Sequence, residues 1–114
     1  MSDLILYGLK NCDTCKKAMR DLEAAGRDMA FINIREDADL RTKVPTWLGA
    51  VGAGALVNKR STTWRELSDA DKADAEENPA EPLIANPTLI KRPVIEAGPD
   101  ICVGWTADVK KRLV

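Results

Sequence analysis

Two thiols separated by two residues, Cys12 and Cys15 in the stretch Leu9-Lys10-Asn11-Cys12-Asp13-Thr14-Cys15-Lys16-Lys17-Ala18, are the side chains best suited to do chemistry. The stretch follows an apolar run, Leu4 to Tyr7, and leads into Cys15, Ala18, Met19 and Leu22, which keep the spacing of one helix face. The pair therefore falls at a strand-to-helix turn. At such a turn the first backbone N–H groups of the helix lack an intrahelical partner and the macrodipole is positive, so an anionic sulfur at Cys12 is favoured. Cys15 lies one helical turn further on, within reach of any disulfide that Cys12 forms.

Two other readings of the pair are open. Half of a zinc site needs two more ligands, and with no histidine in the chain and only Cys102 as a further thiol, Asp or Glu would have to complete it. Alternatively, both are inert, half-buried small residues. The position at the mouth of a helix after a buried-looking strand favours a redox or nucleophilic role.

That role sets an electrostatic requirement. A cysteine of ordinary pKa, about 8.5, is only a few per cent thiolate at neutral pH. A helix terminus contributes about 0.3–1 kcal/mol, less than one pKa unit at about 1.36 kcal/mol per unit. A pKa of about 6 therefore needs a permanent cation nearby, and without histidine the candidates are Arg92, Arg60, Lys10 and Lys16. Lowering the pKa weakens the attacking sulfur, with a Brønsted slope of about 0.4–0.5. The larger benefit is that Cys12 then leaves readily when a second thiol attacks its mixed disulfide.

The elements that must position these groups can be read from the rest of the chain. Its 114 residues suit one domain, residues 1–114, with a real core. A net charge of −1 asks for no polyanionic partner, so nucleic acid is not expected. No apolar run approaches a membrane span, and Met1-Ser2-Asp3 lacks the basic start and apolar core of a signal peptide, so a cytoplasmic protein is expected. In that compartment three cysteines point to catalysis or redox sensing rather than a structural framework.

The first unit reads as strand Leu4 to Gly8, helix Cys15 to Ala25 and strand Met29 to Ile34, with Gly26 as the stop. A helical connection of this length joins parallel neighbours with right-handed sense. Residues 36–87 read as a helical insert, in which Leu40, Val44, Trp47, Leu48 and Val51 keep helical spacing. Pro45 places the start of that helix near itself, and Gly49, Gly52 and Gly54 break it. The acidic run Asp69, Asp71, Asp74, Glu76 and Glu77 is most simply a solvated helix face, with a docking surface for a basic partner as the alternative. Pro79, Pro82 and Pro87 divide the chain beyond the acidic run into short turns. Pro93 to Glu96 and Ile101 to Val103 flank Gly98-Pro99-Asp100 as a hairpin, and Thr106 can cap a closing helix with Val109 and Leu113 inward. Cys102, between two apolar strand residues, reads as buried and inert, and Trp47, Trp64 and Trp105 as packing. The order is βαβ, helical insert, ββα.

With these residues in view the chain resembles the arsenate reductase (ArsC) family of thioredoxin-fold proteins, most of all its small YffB-like branch beside the Spx regulators. Four blocks in order carry the resemblance: Tyr7-Gly8 through Asn11-Cys12-Asp13-Thr14 and Lys16-Lys17; Leu56-Val57-Asn58-Lys59-Arg60-Ser61-Thr62-Thr63-Trp64-Arg65; Asn86-Pro87-Thr88-Leu89-Ile90-Lys91-Arg92-Pro93-Val94; and Val103-Gly104-Trp105. The resemblance implies an α/β thioredoxin-like βαβ…ββα sheet with a helical insert between its halves. It also implies Cys12 as nucleophile, Arg92 facing the thiolate and binding anionic substrate groups, and Pro93 in the place of thioredoxin's cis-proline. Arg60, Arg65 and Asn11 fall in matching blocks as substrate-binding candidates. The second-block arginine of the arsenate reductases aligns more nearly with Asn58, and the third would fall near Val103 or Gly104, where none stands.

Those departures point away from arsenate towards a thiol or disulfide substrate. The implied cycle has Cys12 attack a disulfide, glutathionylated thiol or oxyanion, arginines hold carboxylates, and Cys15 or glutathione resolve the adduct. Guanidinium suits the carboxylate role because its planar fork pairs both oxygens. No bound cofactor or metal is expected, glutathione is the co-substrate, and a monomer is expected. The alternatives are arsenate reduction and an Spx-like redox-sensing regulator that contacts RNA polymerase.

Overall fold

The computed structural model describes residues 4–114. In chain order the elements are β1 (Leu4–Gly8), α1 (Asp13–Ala24), β2 (Met29–Asn33), α2 (Leu40–Val51), α3 (Ala53–Leu56), α4 (Thr62–Glu66), α5 (Asp69–Glu77), α6 (Ala80–Ala85), a 3₁₀ turn (Pro87–Leu89), β3 (Val94–Ala97), β4 (Asp100–Val103) and α7 (Ala107–Leu113). They fall into two compact units: the chain up to Ala38 together with Arg92–Val114, and Asp39–Lys91.

In the first unit, four strands among the described residues form one mixed sheet in the order β2-β1-β3-β4. β1 and β2 are parallel, while β3 runs antiparallel to both β1 and β4. This is the thioredoxin-like α/β arrangement. The pairing register sets Phe31, Leu6, Ile95 and Cys102 in one row across the four strands. Leu4, Leu6 and Ile95 are fully buried, and α1 covers them with Ala18 and Leu22 while α7 adds Leu113. Each large aliphatic side chain buried in this way contributes about 1.5–3 kcal/mol. On the opposite face the Tyr7 hydroxyl donates to Glu96 Oε1 at 2.8 Å, and burial, reinforced by that acceptor, raises the phenol's pKa.

Helix α1 begins at Asp13, two residues before the expected Cys15. The apolar spacing reports only the buried face, and Asp13 and Thr14 are exposed first-turn residues. At its other end Gly26 takes φ 75°, its N–H bonds to the Glu23 carbonyl and the Arg27 N–H to the Leu22 carbonyl, both at 3.0 Å. This left-handed cap satisfies carbonyls the helix would otherwise leave open. Trp105 Nε1 donates to Asp21 Oδ2 at 2.8 Å, and Lys110 approaches the same carboxylate at 3.5 Å, which together hold Asp21 below its usual pKa. The hairpin turns on Gly98 and Pro99, with Gly98 at φ 62°, and the Thr106 hydroxyl caps α7 by accepting from the Val109 N–H at 3.2 Å.

The second unit is helical, as expected, but its elements differ from the proline and glycine reading. Helix α2 starts at Leu40 rather than near Pro45, which lies inside it. Burial of Leu40, Val44 and Trp47 outweighs the one missing N–H, and because Pro45 and Arg41 are both exposed, water can serve the Arg41 carbonyl. Gly49 stays within the helix, and the chain breaks at Gly52, φ 80°. Pro79 and Pro82 do not give short turns; they sit at the cap and first turn of α6, where a missing N–H loses no intrahelical bond. The acidic residues of α5 are exposed around a single buried Ala75. The unit closes where the Asn58 N–H meets the Leu89 carbonyl and the Lys91 N–H the Leu56 carbonyl, each at 2.7 Å.

Among the described residues, no helix is long and apolar enough to cross a membrane. Leu22→Ala should destabilise the protein by about 2–5 kcal/mol in urea unfolding, whereas Glu23→Ala, on the exposed side of the same helix, should shift it by less than about 0.5 kcal/mol.

Candidate active site

Gly8 ends β1 buried in the sheet, and the chain reaches α1 through the turn Leu9–Cys12, closed by the Cys12 N–H on the Leu9 carbonyl at 3.2 Å. Cys12 is the N-cap of α1, in extended conformation at φ −92° and ψ 120°, with its carbonyl accepting from the Lys16 N–H at 2.9 Å. Its side chain is half-buried, while Lys10, Asn11 and Lys16 around it are exposed.

Opposing effects act on the Cys12 sulfur. Burial, the largest, pushes the pKa up, but the Cys15 N–H, the Cys15 thiol, the Arg92 guanidinium and the Thr14 N–H together pull it below the ordinary value. The neutral thiol makes no cap hydrogen bond with these N–H groups, so their hold is on the anion. Arg92 is the positively charged side chain among these groups. It arrives through the sheet: Val94 of β3 is opposite Tyr7 of β1, so Arg92 and Pro93 enter beside Gly8, at the end from which the chain runs to Cys12. Arg92 is half-buried, Pro93 is buried, and the peptide bond between them is cis. The Pro93 carbonyl accepts from the Gly104 N–H at 2.8 Å.

Cys15 is in the opposite condition. It is fully buried, and burial pushes its pKa up to about 12, with the Leu9 N–H and Arg92 acting against the rise and the neighbouring Cys12 sulfur adding to it. The surroundings thus push the two thiols in opposite directions, favouring the ionised form of Cys12 and the protonated form of Cys15.

Cys12, Cys15, Arg92 and Pro93 thus belong to the first unit. Arg60 and Arg65 belong to the second, both exposed, Arg60 in the turn where its N–H bonds Asn58 Oδ1 at 3.1 Å and Arg65 within α4. Cys102 is 3% exposed in the core row. Sequence reasoning missed Gly8. A Cβ there would stand 2.5 Å from Cys15 Sγ, closer than real atoms come. A glycine closing an otherwise apolar strand was the available signal, because such a residue often marks a close approach.

A half-buried cysteine at a helix mouth, on a thioredoxin-like sheet, defines a thiol oxidoreductase fold of the arsenate reductase type. The ArsC family model matches residues 7–112, and the chain belongs to that family. It is 43% identical over 96 residues to an uncharacterized protein of Haemophilus influenzae, an alignment covering 81% of this chain and 82% of that one. Among solved structures it is similar to a YFFB protein, at 35% identity and TM-score 0.86, covering 96% and 97% of the two chains. It is also similar to an arsenate reductase (ArsC) related protein from Brucella melitensis, at 32% identity and TM-score 0.77, covering 98% and 93%.

Alkylation by iodoacetamide, monitored through the mass of each cysteine peptide, should show Cys12 reacting with a pH midpoint below the ordinary cysteine value. The rate rises as the thiolate forms, so Arg92→Ala should move that midpoint upward. Cys102 should stay unmodified in the folded protein.

Proposed function

We propose that the chain is a thiol–disulfide oxidoreductase that takes its electrons from glutathione, with Cys12 as nucleophile and arginine side chains holding the substrate's anionic groups. The observation that carries this reading is the stabilised, half-exposed Cys12 sulfur beside Arg92. In the first step the Cys12 thiolate attacks the glutathione sulfur of a glutathionylated thiol; a Cys12–glutathione disulfide forms as the substrate's disulfide bond breaks, and the substrate leaves as its thiolate. In the second, a glutathione thiolate attacks that mixed disulfide, releasing oxidised glutathione and restoring the Cys12 thiolate. The low pKa of Cys12 favours its departure in this second step.

Two features support an external resolving thiol over Cys15: the Cys15 sulfur is fully buried, and it is held protonated. Only a thiolate attacks a disulfide. Arg92 pairs with a carboxylate of glutathione, with Asn11 next to Cys12 in sequence and Pro93 next to Arg92 as further substrate contacts. Val103 and Gly104, standing where an arsenate-binding arginine would fall, support a thiol substrate.

Turnover of a glutathione mixed disulfide in the presence of glutathione should be measurable for the wild type and lost in Cys12→Ser. Arg92→Ala should raise KM about tenfold, the lower end for a charge-assisted hydrogen bond of about 1.5–3 kcal/mol. Mass spectrometry of the oxidised wild type should show glutathione on Cys12 in place of a Cys12–Cys15 bond. No turnover by the wild type would overturn the reading.

A further inference from the structure

In the helical unit a hollow of about 200 Å³ opens beside α5. Its apolar lining is Trp64, Val57, Ala53, Gly54 and Ala75, and Trp64 is fixed by donating its backbone N–H to the Ser61 hydroxyl at 3.1 Å. The hollow is smaller than a small-molecule pocket of about 300–1,000 Å³ and has room for one bulky apolar side chain. Lys59 and Glu76 complete the lining: the Lys59 ammonium stands 5.4 Å from the Trp64 ring centroid and bonds Glu76 Oε1 at 3.0 Å. Their side chains are 56% and 58% exposed, so this ion pair adds little stability and can part.

The helix that brings Ala75 and Glu76 to this hollow is poorly served by its own charges. Asp74, Glu76 and Glu77 lie towards its C-terminal end, where the dipole is already negative, and no basic residue stands in its last turn. Asp71, Asp74 and Glu77 follow one another at three-residue spacing, which sets like charges side by side. Lys59 answers Glu76, but Asp71, Asp74 and Glu77 form no ion pair among the described residues. Nor does an apolar face explain the helix, because Ala75 is its one buried residue. A local rule broken without compensation inside the unit marks a surface kept negative for something outside it. We propose that the hollow and the C-terminal end of α5 dock a basic protein segment, which seats one bulky apolar side chain against Trp64 and sets its lysines or arginines against Asp74 and Glu77. The incoming cations would complement the carboxylates and the helix dipole together.

The experiment titrates the isotope-labelled full chain with two synthetic peptides, one with a single leucine among lysines and one with serine in place of that leucine. The leucine peptide should move the NMR signals of the Trp64 indole N–H and the α5 amides, leave that of the Trp105 indole in place, and bind about tenfold more tightly than the serine peptide. A Cβ built at Gly54 meets nothing within 4 Å, so Gly54→Leu has room to fill the hollow and should lower the leucine peptide to the affinity of the serine peptide. Glu77→Lys should weaken both peptides alike, by about fivefold at low salt and less at high salt. Equal binding of the two peptides, wild-type affinity in Gly54→Leu, or signals that move elsewhere on the surface would overturn the proposal. So would a Trp64 signal that moves with protein concentration alone, which would seat a second copy of the chain in the hollow. If Gly54→Leu does not fold, the two peptides on the wild type and on Glu77→Lys decide. None of these readouts involves Cys12, so this inference and the proposed function stand or fall separately.

Discussion

The site depends on holding a half-buried sulfur at the start of a helix among groups that favour its ionised form. Burial alone would return the proton to Cys12, and no single neighbour offsets it: two backbone N–H groups, a thiol and a guanidinium do so together. Each has to be aimed before the charge appears, because donors that must reorganise after ionisation return much of what they give. The sheet does the aiming. β1 fixes where the turn to Cys12 begins, β3 delivers Arg92 beside it, and the packed row beneath keeps both strands in register.

The two thiols of the motif are alike in sequence and opposite in physical state. Opposite surroundings push the two pKa values apart, down for Cys12 and up for Cys15. Cys12, at the cap, collects the N–H groups and the arginine, while Cys15, one turn inward, carries the larger burial penalty.

Much of this was legible in the residues. The apolar run Leu4–Tyr7, the helix-face spacing through Leu22 and the Gly98-Pro99 hairpin each carry a local signature, and each forms at or within a residue or two of its expected place. The need for a cation came from the small size of a helix terminus effect. That Arg92 meets it did not, since about eighty residues separate it from Cys12 and periodicity says nothing of strand order; only the resemblance to a known family singled it out. Pro45 misled because local rules price the lost N–H and not the buried stripe of Leu40, Val44 and Trp47 that carries the helix past it. Gly8 was read as the end of a strand, when the reason for it lies seven residues away in a sulfur atom.

Cys102 fills the β4 position of the row that crosses the sheet, with Ile95 beside it and Leu113 in the same cluster. A sulfur there behaves as a small apolar filler, 3% exposed. The chain can thus carry a third free thiol without a second redox site. Its cysteine chemistry is separated in space: one sulfur packed in the core row, the other half-exposed at the helix mouth.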